Sequence, residues 1–191
     1  TGGTVSDVTP TIGGGILAVN KDILFVGGNS ILPNVGFYTD PFTDQFYAAT
    51  GTCAANADVG GSNYLDVTTG IFTADIEGKI IYNTTEGVML TIINWVSSTR
   101  ILTSGSTASW DNDTVYVMKN VFKIDGKMTA CEDQQENFVA FDAQNMYVFD
   151  PTSEWSSKYK GYGCINDRVA KNCGGYLIWV SYDGIYRWNG S

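Results

Sequence analysis

The chain has 191 residues, 43% of them hydrophobic and 13% aromatic but only 16% charged, a charge content below the ~25% of average soluble domains and a composition unlike that of disordered segments. It contains no histidine, which excludes Ser-His-Asp and Cys-His nucleophile systems, histidine general bases and nearly all zinc sites except thiolate ones. The net charge of −9 is concentrated early: residues 1–78 hold eight acids and a single base, Lys21, whereas residues 79–191 hold twelve acids and ten bases. An acidic surface of this kind repels nucleic acid and anionic membrane, would suit a channel through which DNA slides without sticking, and serves plain solubility equally well.

In chain order, short apolar blocks bounded by Gly, Asn, Asp and Pro predict strands at 16–19, 23–26, 35–39, 63–67, 79–82, 88–96, 100–103, 114–118, 138–141, 145–149, 168–170, 176–181 and 184–188. Helical periodicity is scarce, and the 22 glycines and abundant aromatics fit short strands and tight turns, so the expected class is all-β. The longest apolar stretch, VMLTIINWV at 88–96, is interrupted by Thr91 and Asn94 and is less than half the ~20 residues that cross a bilayer. No membrane span is expected. The opening TGGTVSDVTP lacks the basic and apolar regions of a signal peptide, so a removed leader or a larger parent polypeptide is expected.

Three segments share one plan of apolar strand, tight polar turn and aromatic-rich second strand: ILFVGGNSILPNVGFYTDPF (23–42), FVAFDAQNMYVFDPTSEW (138–155) and YLIWVSYDGIYRWNGS (176–191). The turns at Asp142-Ala143-Gln144-Asn145 and Tyr182-Asp183-Gly184 suit hairpins. Asp40-Pro41 and Asp150-Pro151 end the second strands of the first two segments, since proline offers no N–H. Units of this type, preceded by further short strands, read as blades of a β-propeller; a plain sandwich or unrelated hairpins is the alternative. Three repeats fall short of the ~4 blades that close a propeller, so a longer polypeptide or a second chain is expected to complete it. The reading divides the chain into propeller-like strands at 1–70, an inserted β-module at 71–118, and further propeller-like strands at 119–191.

Within the insertion, the stretch from Phe72-Thr73-Ala74-Asp75 through Gly78-Lys79 to Ile81, followed by Leu90 to Ile93 and Val96 to Thr99, resembles a small β-barrel or sandwich module recurrent in virion proteins of tailed bacteriophages. The flanking GGGILAVNKDILFVGG and GGYLIWVSYDGIYRWNG resemble propeller strands of phage tail nozzle proteins, the tail tubular protein B type. That resemblance implies an irregular propeller interrupted by β-modules and a structural ring subunit or adaptor of a phage tail, lining a DNA conduit. It also implies location in the virion, and as partners copies of itself and neighbouring virion proteins, with passive contact with DNA in transit. It implies no enzymatic activity, no cofactor and no catalytic residue. An extracellular carbohydrate-binding propeller or sandwich is the alternative.

Candidate chemistry is sparse. Trp155, Tyr159 and Tyr162, in WSSKYKGYG with Lys158 and Lys160 nearby, could form a sugar-stacking platform or a protein interface. Asp40 with Asp44, or Glu132 and Asp133 with Glu136, could serve a glycan-cleaving enzyme as acid and base, although both groups fall in stretches that read as solvated loops. Ser181-Tyr182-Asp183-Gly184 with Trp188 approaches the Asp-box turn of sialidases, but its glycine is one place early, and only three arginines are present. Asp111-Asn112-Asp113-Thr114 offers oxygen ligands for calcium but lacks the glycine and distal glutamate of an EF-hand, and a β-turn explains it. The four cysteines Cys53, Cys131, Cys164 and Cys173 permit three pairings and form no C-x-x-C. Cys164 and Cys173 flank a turn and could bridge; otherwise these are ordinary thiols.

Overall fold

In the computed structural model, residues 14–43, 45–153 and 155–190 are described. The chain is all-β, with several antiparallel sheets and no α-helix among the described residues. It divides into two compact units, one of residues 46–121 and one of the described residues up to Gln45 together with 122–190.

The second unit opens with β1 (Ile16–Asn20), β2 (Ile23–Gly27) and β3 (Val35–Tyr38). The first unit follows: β4 (Tyr47–Thr52), β5 (Tyr64–Asp66), β6 (Ile80–Asn83), β7 (Val88–Ser97), β8 (Arg100–Thr103) and β9 (Thr114–Met118). These six form one sheet in the order β4-β9-β6-β7-β8-β5. Its two edge strands also meet, at the Cys53–Val67 bridge, where the Ala54 N–H donates to the Asp66 carbonyl at 2.8 Å and the Thr68 N–H to that of Thr52 at 2.9 Å. Trp110, Ile81, Ile92, Ile101, Leu65 and Val115 fill the core of this unit. Strands β6 to β9 match the four predicted between 79 and 118. The compact unit also takes in β4 and β5, and so begins at Phe46 where the sequence reading opens its module at 71.

The remaining strands are β10 (Asn120–Lys123), β11 (Ala130–Gln134), β12 (Asn137–Phe141), β13 (Asn145–Asp150), β14 (Trp155–Lys160), β15 (Ala170–Cys173), β16 (Tyr176–Ser181) and β17 (Gly184–Trp188). They build three sheets: β1-β2-β3-β10, β11-β12-β13-β14 and β15-β16-β17. The first hairpin of each has a two-residue loop, since Asn20 pairs Ile23, Gln134 pairs Asn137 and Cys173 pairs Tyr176. The loops place Lys21 and Asp22, then Gln135, then Gly174 and Gly175 at positive φ, the backbone that follows strand twist in such short turns. Strand β1 lies beside β11, and β11 beside β15.

The middle sheet is covered on both faces. Phe138, Ala140, Tyr147 and Phe149 pack with Ile16, Phe25, Tyr38 and Phe122 of the first sheet, whereas Val139, Phe141, Met146 and Val148 pack with Ala170, Leu177 and Trp179 of the third. Side chains alternate faces along a strand, so burial on both sides requires the unbroken apolar runs FVAF and MYVF. Aromatic rings link the layers: Phe25 lies 5.3 Å from Phe138, Phe122 stacks on Phe149 at 4.3 Å, and Phe141 lies 5.3 Å from Trp179.

Two local expectations are corrected. The strand predicted at 168–170 is a 3-10 turn, Asp167–Val169, because the Asn166 side chain accepts from the Arg168 N–H at 2.9 Å and caps it; β15 begins only at Ala170. Glu132 and Asp133 lie not in a loop but on β11, one residue apart and therefore on opposite faces.

Candidate functional site

The predicted aromatic trio lies on and after β14, an edge strand paired to β13 from Asp150–Trp155 to Asn145–Lys160. Trp155 and Tyr159 share one face of it, with Trp155 51% exposed and the two side chains ~13 Å apart along the strand. Tyr159 leans on Trp188 at 6.5 Å and Tyr162 meets Tyr186 edge-on at 5.4 Å, so both tyrosines pack against the third sheet. Lys158 and Lys160 point to the opposite face. The period of two separates the lysines from the aromatics with which they are interleaved in sequence.

The lysine face is a cavity of about 600 Å³ lined by Lys127, Lys158, Lys160, Asp125, Asp142 and the hairpin turn at Gln144. Lys158 Nζ pairs with Asp125 and lies 5.7 Å from the centre of the Tyr147 ring. The floor is set by Asp142, buried at 4% exposure. Its Oδ1 accepts from the backbone N–H groups of Gln144 and Asn145 at 2.7 and 2.6 Å, and its Oδ2 accepts from the Tyr147 hydroxyl at 2.8 Å. The Asn145 side-chain amide donates to both oxygens, at 3.1 and 3.0 Å. Burial raises the carboxyl's proton affinity, but these donors outweigh it and hold Asp142 below its ordinary pKa. Burial and the same hydrogen bond to Asp142 push the Tyr147 hydroxyl up. The Asp-Ala-Gln-Asn turn legible in the sequence is thus an Asx-type turn locked by its own first residue.

The other candidate acids are already partnered. Glu132 pairs with Lys171 at 2.6 Å, Glu136 with Lys21 at 3.2 Å, and the Asn172 side chain donates to the Asp133 carboxylate at 3.4 Å. Asp44 lies outside the described residues. Asp183 accepts from the Tyr186 hydroxyl at 2.8 Å across the Tyr182-Asp183 hairpin loop. In the 111–114 stretch, Asp111 accepts from the Ala57 N–H at 2.9 Å and Asp113 from the Asn83 amide at 2.8 Å, so both carboxylates bind protein groups. Among the described residues, no group of three or more His, Cys, Asp or Glu is placed to hold a metal ion.

All four cysteines are free thiols, and Cys164 and Cys173 form no bridge. Cys53, Cys131 and Cys164 are buried and Cys173 is exposed. Burial first, then the nearby charges of Asp113 and Asp111, push Cys53 up to about 12. Burial likewise raises Cys131 and Cys164. No helix is long and apolar enough to cross a membrane among the described residues. No family model matches the sequence, and no curated protein or solved structure matches it.

Proposed function

We propose that this chain is a structural, non-enzymatic subunit of a virus particle, a ring component or adaptor of the tail nozzle type, built from propeller blades with an inserted small β-barrel. The observation that carries the blade reading is the succession of three antiparallel meanders whose first strands, β1, β11 and β15, run side by side. Successive blades of a propeller have this arrangement. The meeting of the two edge strands at Cys53 and Val67 supports closure of the inserted sheet into a barrel, which removes its exposed edges. Three blades do not close a propeller, and both end sheets offer apolar side chains to further sheets. Leu17 and Val19 of β1 are 68% and 59% exposed, and Ile185 of β17 is 75% exposed.

Two different end surfaces joined head to tail generate a ring when the rotation closes. Native mass spectrometry of the protein should therefore show a defined homo-oligomer, and Leu17→Asp with Ile185→Asp, which sets like charges across the joint, should reduce it to monomer. A wild-type chain that stays monomeric at high concentration, and that retains nothing from virus particles, overturns the proposal.

A further inference from the structure

The lysine cavity on the second unit has unused binding capacity. Acids outnumber bases 20 to 11 in this chain, yet the exposed side chains of Lys127 and Lys160 engage no hydrogen bond, ion pair or ring among the described residues. The two carboxylates beside them are already occupied, Asp125 by Lys158 and Asp142 by its four donors. With the carboxylates of Asp125 and Asp142 set against Lys127, Lys158 and Lys160, the cavity carries one net positive charge.

A second hollow of about 460 Å³ shares the wall formed by Ala143, Gln144, Asn145 and Lys160, and is bounded on its far side by Ser181, Tyr182 and Asp183. Tyr182 is 80% exposed. The Gln144 side-chain amide, between the two hollows, is also unengaged among the described residues. The combined groove is polarised, with ammonium groups at one end and, at the other, a tyrosine ring, a hydroxyl and the Asp183 carboxylate, whose Oδ2 already accepts from the Tyr186 hydroxyl and whose Oδ1 is left to accept. A bare polyanion matches the first end but is repelled by Asp183 at the second. A ligand with one anionic group and a hydroxyl-bearing ring matches both, because hydroxyls donate to a carboxylate and the C–H face of a sugar ring covers an aromatic side chain. The volume is in the range of small-ligand sites.

We infer that this groove binds an acidic saccharide, with its carboxylate or phosphate held between Lys127 and Lys160 and its ring against Tyr182. The inference is independent of the propeller reading, since it rests only on groups within the second unit. The site differs from the platform of Trp155 and Tyr159, which lie on the other face of β14.

Calorimetric titration of the full chain with N-acetylneuraminic acid, glucose 6-phosphate, glucose and inorganic phosphate tests it. At least one of the two sugar acids should bind saturably, and glucose roughly 10-fold or more weaker, equivalent to ~1.4 kcal/mol. Lys127→Ala with Lys160→Ala should weaken the sugar acid about 10-fold while leaving the melting temperature unchanged. Tyr182→Ala should weaken the sugar acid but not inorganic phosphate. Loss of acid preference, an unaffected double variant, or no saturable binding by either sugar acid overturns the site. Inorganic phosphate binding as tightly as the sugar acids overturns the saccharide assignment.

Discussion

Asn20 and Gln134 hold the same place in consecutive sheets. Each ends its sheet's first strand, and each sends its side-chain amide to the first hairpin of the next sheet, Asn20 to the carbonyls of Gln135 and Asn137 at 3.2 and 2.9 Å, Gln134 to that of Gly175 at 2.7 Å. Both residues are buried. The sheets are indexed to one another at their turns by amide side chains, and Cys173, exposed, occupies the third such position.

The two amides should differ in worth. Gln134 is left with a buried Oε1 that has no partner, and an unsatisfied buried acceptor subtracts from the bond its amide makes. Asn20→Leu should cost ~1–3 kcal/mol in urea unfolding, and Gln134→Leu measurably less. The reverse order would show that packing, not amide bonding, governs these positions.

Asp142 should confer stability that depends on acid. Its folded pKa lies below the ordinary value, so its contribution is complete above the unfolded pKa of ~4 and is lost as pH falls through the folded value. Asp142→Asn should be destabilised by ~1–3 kcal/mol at neutral pH. The gap between wild type and variant should narrow below pH ~4, as followed by thermal melts across pH 2 to 7. A gap independent of pH would mean that the loss is steric.

Thiol chemistry should be confined to one cysteine. With Cys53 pushed up to about 12 and Cys131 and Cys164 also raised by burial, the thiolate fraction that reacts is negligible at these sites. Ellman's reagent at pH 8 should titrate Cys173 alone in the native protein and all four thiols in guanidinium. Cys173→Ser should abolish the native signal.

Gly163 closes against the turn beneath the lysine cavity. A Cβ there would lie 2.3 Å from the Ala143 carbonyl carbon and the Gln144 nitrogen, both backbone atoms that cannot rotate away. Gly163→Ala should cost ~3 kcal/mol or more and disturb the Gln144 amide signal. Gly184→Ala, where nothing lies within 4 Å, should stay within ~0.5 kcal/mol.

How much of this could be read in advance follows from burial. Strands β12 and β13 announce themselves because both of their faces are covered. Strands β4, β10, β11 and β14 did not: β11 reads ACEDQ, and its charges are met by Lys171 and Asn172, 39 residues away. Strand β14, WSSKYK, is an edge whose side chains are largely exposed, so its sequence keeps no apolar period. Lys158 and Lys160 were visible beside the aromatics, but only the strand's alternation assigns them to the other face. Lys127 joins them from the β10–β11 connection, a convergence that no local pattern encodes.

The inserted unit enters and leaves at one point, for the Lys119 N–H donates to the Phe46 carbonyl at 2.8 Å. A segment whose two ends are already neighbours imposes little closure entropy on its host, whatever its length. The connection between β3 and β10 is in effect a socket. Replacing residues 47–118 by another unit with adjoining ends, or by a short turn, would leave the sheet that receives β10 the same gap to bridge.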